Sequence, residues 1–163
     1  LAPGRYYVTL DGFSESSYGA YQLHVYITPT DTAGDRCGSP LRIDPGGTTA
    51  SGNTCLLSNE YSGSCGGRGS EAVYYFALAE TRTVTLSTCD MTFGIATVVY
   101  IRNSCPAAGE RACNDNDPSC MFGLVGSSSV SVSLPAGIYY AFVDGASGDA
   151  TGCGAYQLDI SGI

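Results

Sequence analysis

The chain has no lysine, no tryptophan and a single histidine, His24, among its 163 residues. Without lysine, its seven arginines face fifteen acidic residues, for a net charge of −8. That balance argues against nucleic acid or an anionic membrane as a partner, because both require a basic patch. With one histidine, any Ser–His–Asp or Cys–His scheme must rest on His24. It alternates with Leu23 and Val25, so a solvent-facing strand residue is the simpler reading. No apolar run approaches the roughly 20 residues of a membrane helix, so no membrane span is expected. No glycine-rich phosphate loop leads into a helix; Gly66-Gly67-Arg68-Gly69-Ser70 follows a cysteine inside a loop. Nothing separates a catalytic carboxyl pair from the scattered acids. The chain opens at Leu1 without a leader and reads as a mature product or a fragment of something longer.

What it does have is cysteine, glycine and tyrosine: eight, 22 and twelve residues. Eight cysteines exceed what a reduced cytosolic protein of this kind carries, and an even count fits a disulfide framework. No two cysteines have the spacing of a zinc knuckle. The expected location is therefore secreted, extracellular or at the cell surface. Cys55 and Cys65 lie ten residues apart, and Cys105 and Cys113 eight. Closing such short loops would stabilise by about 2.5 kcal/mol each. The expected pairs are Cys55 with Cys65, Cys105 with Cys113, Cys89 with Cys120 and Cys37 with Cys153.

Strand signals are dense. Arg5–Leu10, Ala20–Ile27, Ala72–Ala79, Arg82–Thr88, Ile95–Arg102, Ser129–Leu134, Ile138–Asp144 and Ala155–Ile160 are rich in β-branched and aromatic residues. In Arg82–Thr88, Val84 and Leu86 should face a core; in Ser129–Leu134, Val130, Val132 and Leu134 should. No window shows a capped helical stripe. The expected fold is all-β, an antiparallel β-sandwich or jelly roll stapled by disulfides.

The two ends of the chain repeat each other. "LAPGRYYVTLDG" at Leu1 matches "LPAGIYYAFVDG" at Leu134 with an offset of 133. "GAYQL" at Gly19 matches "GAYQL" at Gly154 with an offset of 135. Residues 1–28 therefore read as the last hairpin of a preceding homologous repeat, 29–36 as a linker and 37–163 as one complete domain. Cys153 has no cysteine opposite it in the first copy, so that neighbour is a diverged one. Open sheet edges invite pairing with another chain. Tyr6, Tyr7, Val8, Leu10, Tyr21, Leu23 and Val25 are the side chains expected to take part in such strand addition.

The series "YYFAL", "TVTLST", "VVYIRNSC", "RACNDND", "SVSLPAGIYYAFVDG" and "GAYQLDI" resembles the bacterial pre-peptidase C-terminal domain family. The resemblance covers most of residues 37–163. It implies a secreted β-sandwich module, often in tandem, that links, displays or binds rather than catalyses, and that calcium sometimes stabilises. Relatives often carry an aspartate just after the phenylalanine before the "VYIR" strand. Here Phe93 is followed by Gly94, which puts any metal held there in doubt.

Two constellations bear on chemistry. Asn114, Asp115, Asn116 and Asp117 put four oxygen-bearing side chains together, the ligand type calcium prefers. The run is no EF-hand: counted from Asp115, position 6 is Cys120 and position 12 is Gly126. A turn with Asx side chains bonded to nearby backbone is the competing reading. Asp11 and Asp144 each precede a glycine, first of all a turn signal. The doublets Tyr6–Tyr7, Tyr74–Tyr75 and Tyr139–Tyr140 should each bury one ring and expose the other.

The expected role is a structural or adhesive repeat module, assembling with copies of the same or homologous repeats by tandem stacking or β-strand addition, a fibre being one outcome. The alternative is a calcium-dependent module that binds carbohydrate or protein beside a secreted hydrolase.

Overall fold

Alternation in the sequence becomes two faces in the structure. A computed structural model of the chain describes residues 7–12, 14, 16, 18–23, 32–46, 49–89, 94–106, 109–120, 126–149 and 151–163. Among them are nine strands: β1 Leu41–Arg42, β2 Thr49–Asn53, β3 Glu71–Leu78, β4 Arg82–Ser87, β5 Thr97–Arg102, β6 Glu110–Asp115, β7 Ser129–Leu134, β8 Gly137–Gly145 and β9 Ala155–Ser161. The only helix described is a 3₁₀ turn at Thr54–Leu56. In β4, Val84 and Leu86 are buried while Thr83 is exposed; in β7, Val130 and Leu134 are buried while Ser131 and Ser133 are exposed.

The strands form two sheets, ordered β1-β3-β8-β5-β6 and β2-β9-β4-β7. All pairings are antiparallel except β1 with β3. The main core lies between them, with Tyr74, Phe76, Val99, Ile101, Tyr139, Ala141 and Val143 from the first sheet. Val84, Leu86, Val130, Leu134, Tyr156, Leu158 and Ile160 meet them from the second. A smaller cluster, Val73, Val98, Tyr100 and Phe142, covers the outer face of the first sheet beneath Cys37, Tyr61, Cys105 and Cys113. Burial on both faces is why β3 and β5 read as continuous apolar runs rather than strict alternations.

Three strands escaped the sequence reading. β1 is two residues long, β2 is the weak run Thr-Ala-Ser-Gly-Asn, and β6 carries the polar run Glu-Arg-Ala-Cys-Asn-Asp. Each borrows its strand character from a partner already in place.

The closing pair of strands needs a correction: β8 and β9 are not a hairpin. β8 lies between β3 and β5, whereas β9 lies between β2 and β4. Hydrophobic alternation reports which face meets the core, not which strand lies alongside, so the two arrangements look alike in sequence. The strands expected at Arg5–Leu10 and Ala20–Ile27 also differ. Described residues 7–10 and 20–23 are exposed and in no strand. They find no ladder partner among the described residues, and a lone pair of strands is at best marginal in water. Gly34 and Asp35, assigned to the linker, are buried. Gly34 accepts a hydrogen bond from the Val73 amide at 2.7 Å, and Asp35 accepts one from the Ser58 amide.

Four disulfides account for all eight cysteines: Cys37–Cys105, Cys55–Cys153, Cys65–Cys113 and Cys89–Cys120. The expected pairs Cys55–Cys65, Cys105–Cys113 and Cys37–Cys153 are absent. β2 pairs with β9 so that Asn53 lies opposite Ala155, which brings Cys55 and Cys153 together just beyond. β6 returns along β5 and sets Cys113 opposite Tyr100. Cys105 lies beyond the Arg102 end of that ladder, in the connection to β6, and bonds Cys37, while Cys113 bonds Cys65. The loops actually closed span separations of 31 to 98 residues, worth about 4 to 5 kcal/mol each on the chain-entropy model.

Candidate functional site

The four candidate metal ligands do not share one loop. Asn114 and Asp115 are the last residues of β6, and Asn116 and Asp117 follow it. Asn114 Oδ1 accepts from the Ser129 amide at 3.2 Å. Asp115 Oδ1 accepts from Asn116 Nδ2 at 3.0 Å. Asp117 Oδ1 accepts from the Ser119 amide at 2.9 Å and its hydroxyl at 2.7 Å, an Asx turn that holds its carboxyl below the usual range. Asn116 has φ 65°, a left-handed conformation Asn tolerates. Its amide donates to Ser128 Oγ at 3.1 Å, tying the turn to a buried knot in which the Thr88 and Thr97 hydroxyls lie 2.7 Å apart. Asp117 also neighbours Cys89 and Cys120, but those sulfurs are bonded to each other.

The tyrosine doublets divide by face. Tyr74 and Tyr139 are buried; Tyr75 and Tyr140 are half-buried. Of the strand-addition residues, Tyr7, Val8, Leu10, Tyr21 and Leu23 are exposed. Tyr6 and Val25 lie outside the described residues, as does His24.

The residues that sequence reasoning missed are Glu71 and the role of Asp144. Asp144 is not a turn residue but belongs to β8, where it stands opposite Glu71 of β3. Both side chains are wholly buried. Glu71 Oε1 accepts from the amides of Glu60 at 2.9 Å and Tyr61 at 3.0 Å. Asp144 Oδ2 accepts from the Tyr100 hydroxyl at 3.3 Å. Glu71 Oε2 and Asp144 Oδ1 have no hydrogen-bond partner among the described residues. Burial, more than any neighbour, pushes Glu71 up to about 7 and Asp144 up to about 8; the Glu71 carboxylate raises Asp144 further, and Glu60 raises Glu71. Nothing in the local sequence "GSEAVYY" marks Glu71 as buried. The signal is its cross-strand register with Asp144, which only the fold supplies.

Around this pair the outer cluster is tightly built. Phe142 stacks on Tyr100 at 4.5 Å and meets Tyr61 edge-on at 5.7 Å. The Arg102 guanidinium lies over both stacked rings and donates to the Ser62 and Pro106 carbonyls. A shallow cavity of about 440 Å³, lined among others by Gly66, Gly67, Arg68, Asp115 and Ser147, opens beside it. The floor is Gly67, with φ +90°; a Cβ there would lie 2.2 Å from Asp144 Oδ2. Gly67 thus packs against Asp144, and both acids are 0% exposed. The arrangement can hold and release protons, but it presents neither carboxyl to a ligand.

No protein-family model matches the chain, and no curated protein matches it in sequence. Among solved structures, it is similar to the pre-peptidase C-terminal domain of a collagenase from Bacillus anthracis. The identity is 16% and the TM-score 0.51, over 83% of this chain and 100% of that one. A likeness at this identity speaks to architecture. The two facing sheets and this match give the chain the β-sandwich fold of a pre-peptidase C-terminal domain.

Proposed function

We propose that the chain is a non-catalytic structural module of an extracellular protein, built to hold its shape and to assemble with homologous repeats. The observation that carries this reading is the disulfide framework. Every cysteine is bonded, and the bonds join segments 31 to 98 residues apart. Disulfides of this density form and persist in oxidising compartments rather than in a reducing cytosol. The polar groups support the same reading. One oxygen each of Asn114, Asp115 and Asp117 serves a neighbouring residue, and the two buried acids are 0% exposed. The internal repeat supports assembly by tandem stacking or β-strand addition, with a fibre as one product.

Limited proteolysis of the natively isolated chain tests this proposal. Residues 32–163 should survive as one core when oxidised and be degraded once the disulfides are reduced. Equal resistance in both states, or free thiols in the native material, would remove the reading.

A further inference from the structure

The edge strands of the sandwich are β1 and β6 in the first sheet, β2 and β7 in the second. An edge presents unpaired N–H and C=O groups, and proteins blunt such edges with charge, proline, bulges or shortness. β1 is two residues long, and its Arg42 pairs with Asp44 just before Pro45. β6 carries Glu110, Arg111 and Asp115, and the register of its ladder with β5 shifts. β2 reads Thr-Ala-Ser-Gly-Asn, mostly residues that are poor in strands, and its Thr49 hydroxyl holds the Asp159 carboxylate beside it. β7 has none of these devices. It reads Ser-Val-Ser-Val-Ser-Leu and keeps an unbroken register with β4. From Pro118 to Val143 the sequence carries no charged residue, in a chain of net charge −8.

Hydrogen-bond direction alternates along an antiparallel strand. Ser128 faces β4, its carbonyl accepting from the Thr88 amide at 2.9 Å. Ser129 faces away, its amide donating to Asn114 Oδ1 at 3.2 Å. By the same alternation Ser131 and Ser133 turn their main-chain groups away from β4. Among the described residues nothing pairs with those groups. Both serine side chains are exposed, on the face shared with Thr83 and Thr85 of β4. Val132, between them, packs on the main core but is only half-buried, whereas Val130 and Leu134 are buried. The free stretch of edge therefore also leaves one core-facing side chain incompletely covered.

We propose that β7 is a self-association edge, pairing antiparallel with β7 of a second copy about a two-fold axis at Val132. Ser131 and Ser133 of one copy exchange main-chain bonds with Ser133 and Ser131 of the other. The two Val132 residues meet at the non-hydrogen-bonded position, where Cα atoms approach to about 4.5 Å, and cover each other. The two four-stranded sheets become one continuous sheet. A second copy is the occupant because the strand is complementary to itself about that axis. Two acidic chains repel, and this charge-free stretch is where copies meet with least repulsion. The pairing rests on the module reading above and names the edge through which such a module assembles.

Sedimentation velocity of the full chain over a concentration series is expected to show a monomer–dimer equilibrium. Hydrogen exchange over residues 129–134 should slow as dimer forms. Two variants test the register. Ser131→Lys with Ser133→Lys sets ammonium groups opposite one another across the axis, and Ser131→Glu with Ser133→Glu does the same with carboxylates. Both positions are exposed, so each variant should keep its disulfides and its melting temperature. Each alone should dimerise about tenfold more weakly. Mixed in equal amounts, they should form a heterodimer at least as tight as the unmodified homodimer. A chain that stays monomeric, a dimer that neither variant weakens, or a mixture that does not associate would overturn the pairing. So would growth beyond a dimer that Ser51→Lys in β2 abolishes, which would assign a head-to-tail contact of β7 on β2. A monomer that is fully disulfide-bonded and protease-resistant loses the edge and keeps the module. Free thiols in a native chain that still dimerises through Ser131 and Ser133 would do the reverse.

Discussion

The hydroxyl of Tyr74, on β3 of one sheet, lies 2.5 Å from the hydroxyl of Tyr156, on β9 of the other. It is a polar bond inside the apolar layer that joins the two sheets, and burial raises the pKa of both phenols. Removing one hydroxyl strands the other in a buried site, whereas removing both leaves an apolar contact. Tyr74→Phe and Tyr156→Phe are each expected to lower stability by about 1–2 kcal/mol. The double variant should cost less than the two together. Denaturant unfolding of the four proteins in a double-mutant cycle reads the coupling; strict additivity would contradict it.

Stability should depend on pH through Glu71 and Asp144. Both fold with raised pKa values, to about 7 and about 8. The folded state therefore binds protons more tightly than the unfolded chain. The stabilisation is complete below the unfolded values near 4 and is lost as pH rises through the folded ones. Melting temperature is expected to fall between about pH 4 and pH 8. Glu71→Gln with Asp144→Asn should flatten that slope and raise stability at pH 8. A slope unchanged in the double variant would assign the pH dependence elsewhere.

The disulfides should differ in worth. Cys55–Cys153 closes the longest loop, a separation of 98, and Cys89–Cys120 the shortest, 31. Replacing the first pair by alanines is expected to cost about 4–5 kcal/mol and the second about 1 kcal/mol less. Thermal unfolding of the two double variants checks the order.

Calcium is expected to shift the melting temperature by less than about 1 °C at millimolar concentration. The reason is that one oxygen each of Asn114, Asp115 and Asp117 is already held by Ser129, Asn116 and Ser119. A calcium-dependent rise that Asp115→Asn with Asp117→Asn abolishes would restore the binding-module alternative.

Much of the fold could be read from the residues. β4 and β7 advertise their buried face through Val84, Leu86, Val130 and Leu134, because a two-residue period records burial on one side. The central strands were found by their length and β-branched content. What could not be read was partnership. Asn114 and Asp115 look like loop residues because their polarity is that of a turn, yet β5 pairs with them. Glu71 and Asp144 become one site only through cross-strand register. Disulfide connectivity failed for the same reason: short sequence separation favoured Cys55 with Cys65, while the β2–β9 ladder delivered Cys153 to Cys55. Sequence encodes which face is buried locally; which strands meet is a property of the whole sandwich.

Stretching single molecules between the two ends, with and without reductant, tests the cross-linked framework most directly. With Cys55–Cys153 intact, the 98-residue separation it spans is withheld from the extended chain, about 330 Å at roughly 3.4 Å per residue. The oxidised chain should therefore unfold to a contour length shorter than the reduced one by about that amount. Equal contour lengths in the two states would contradict a module held together by its cross-links.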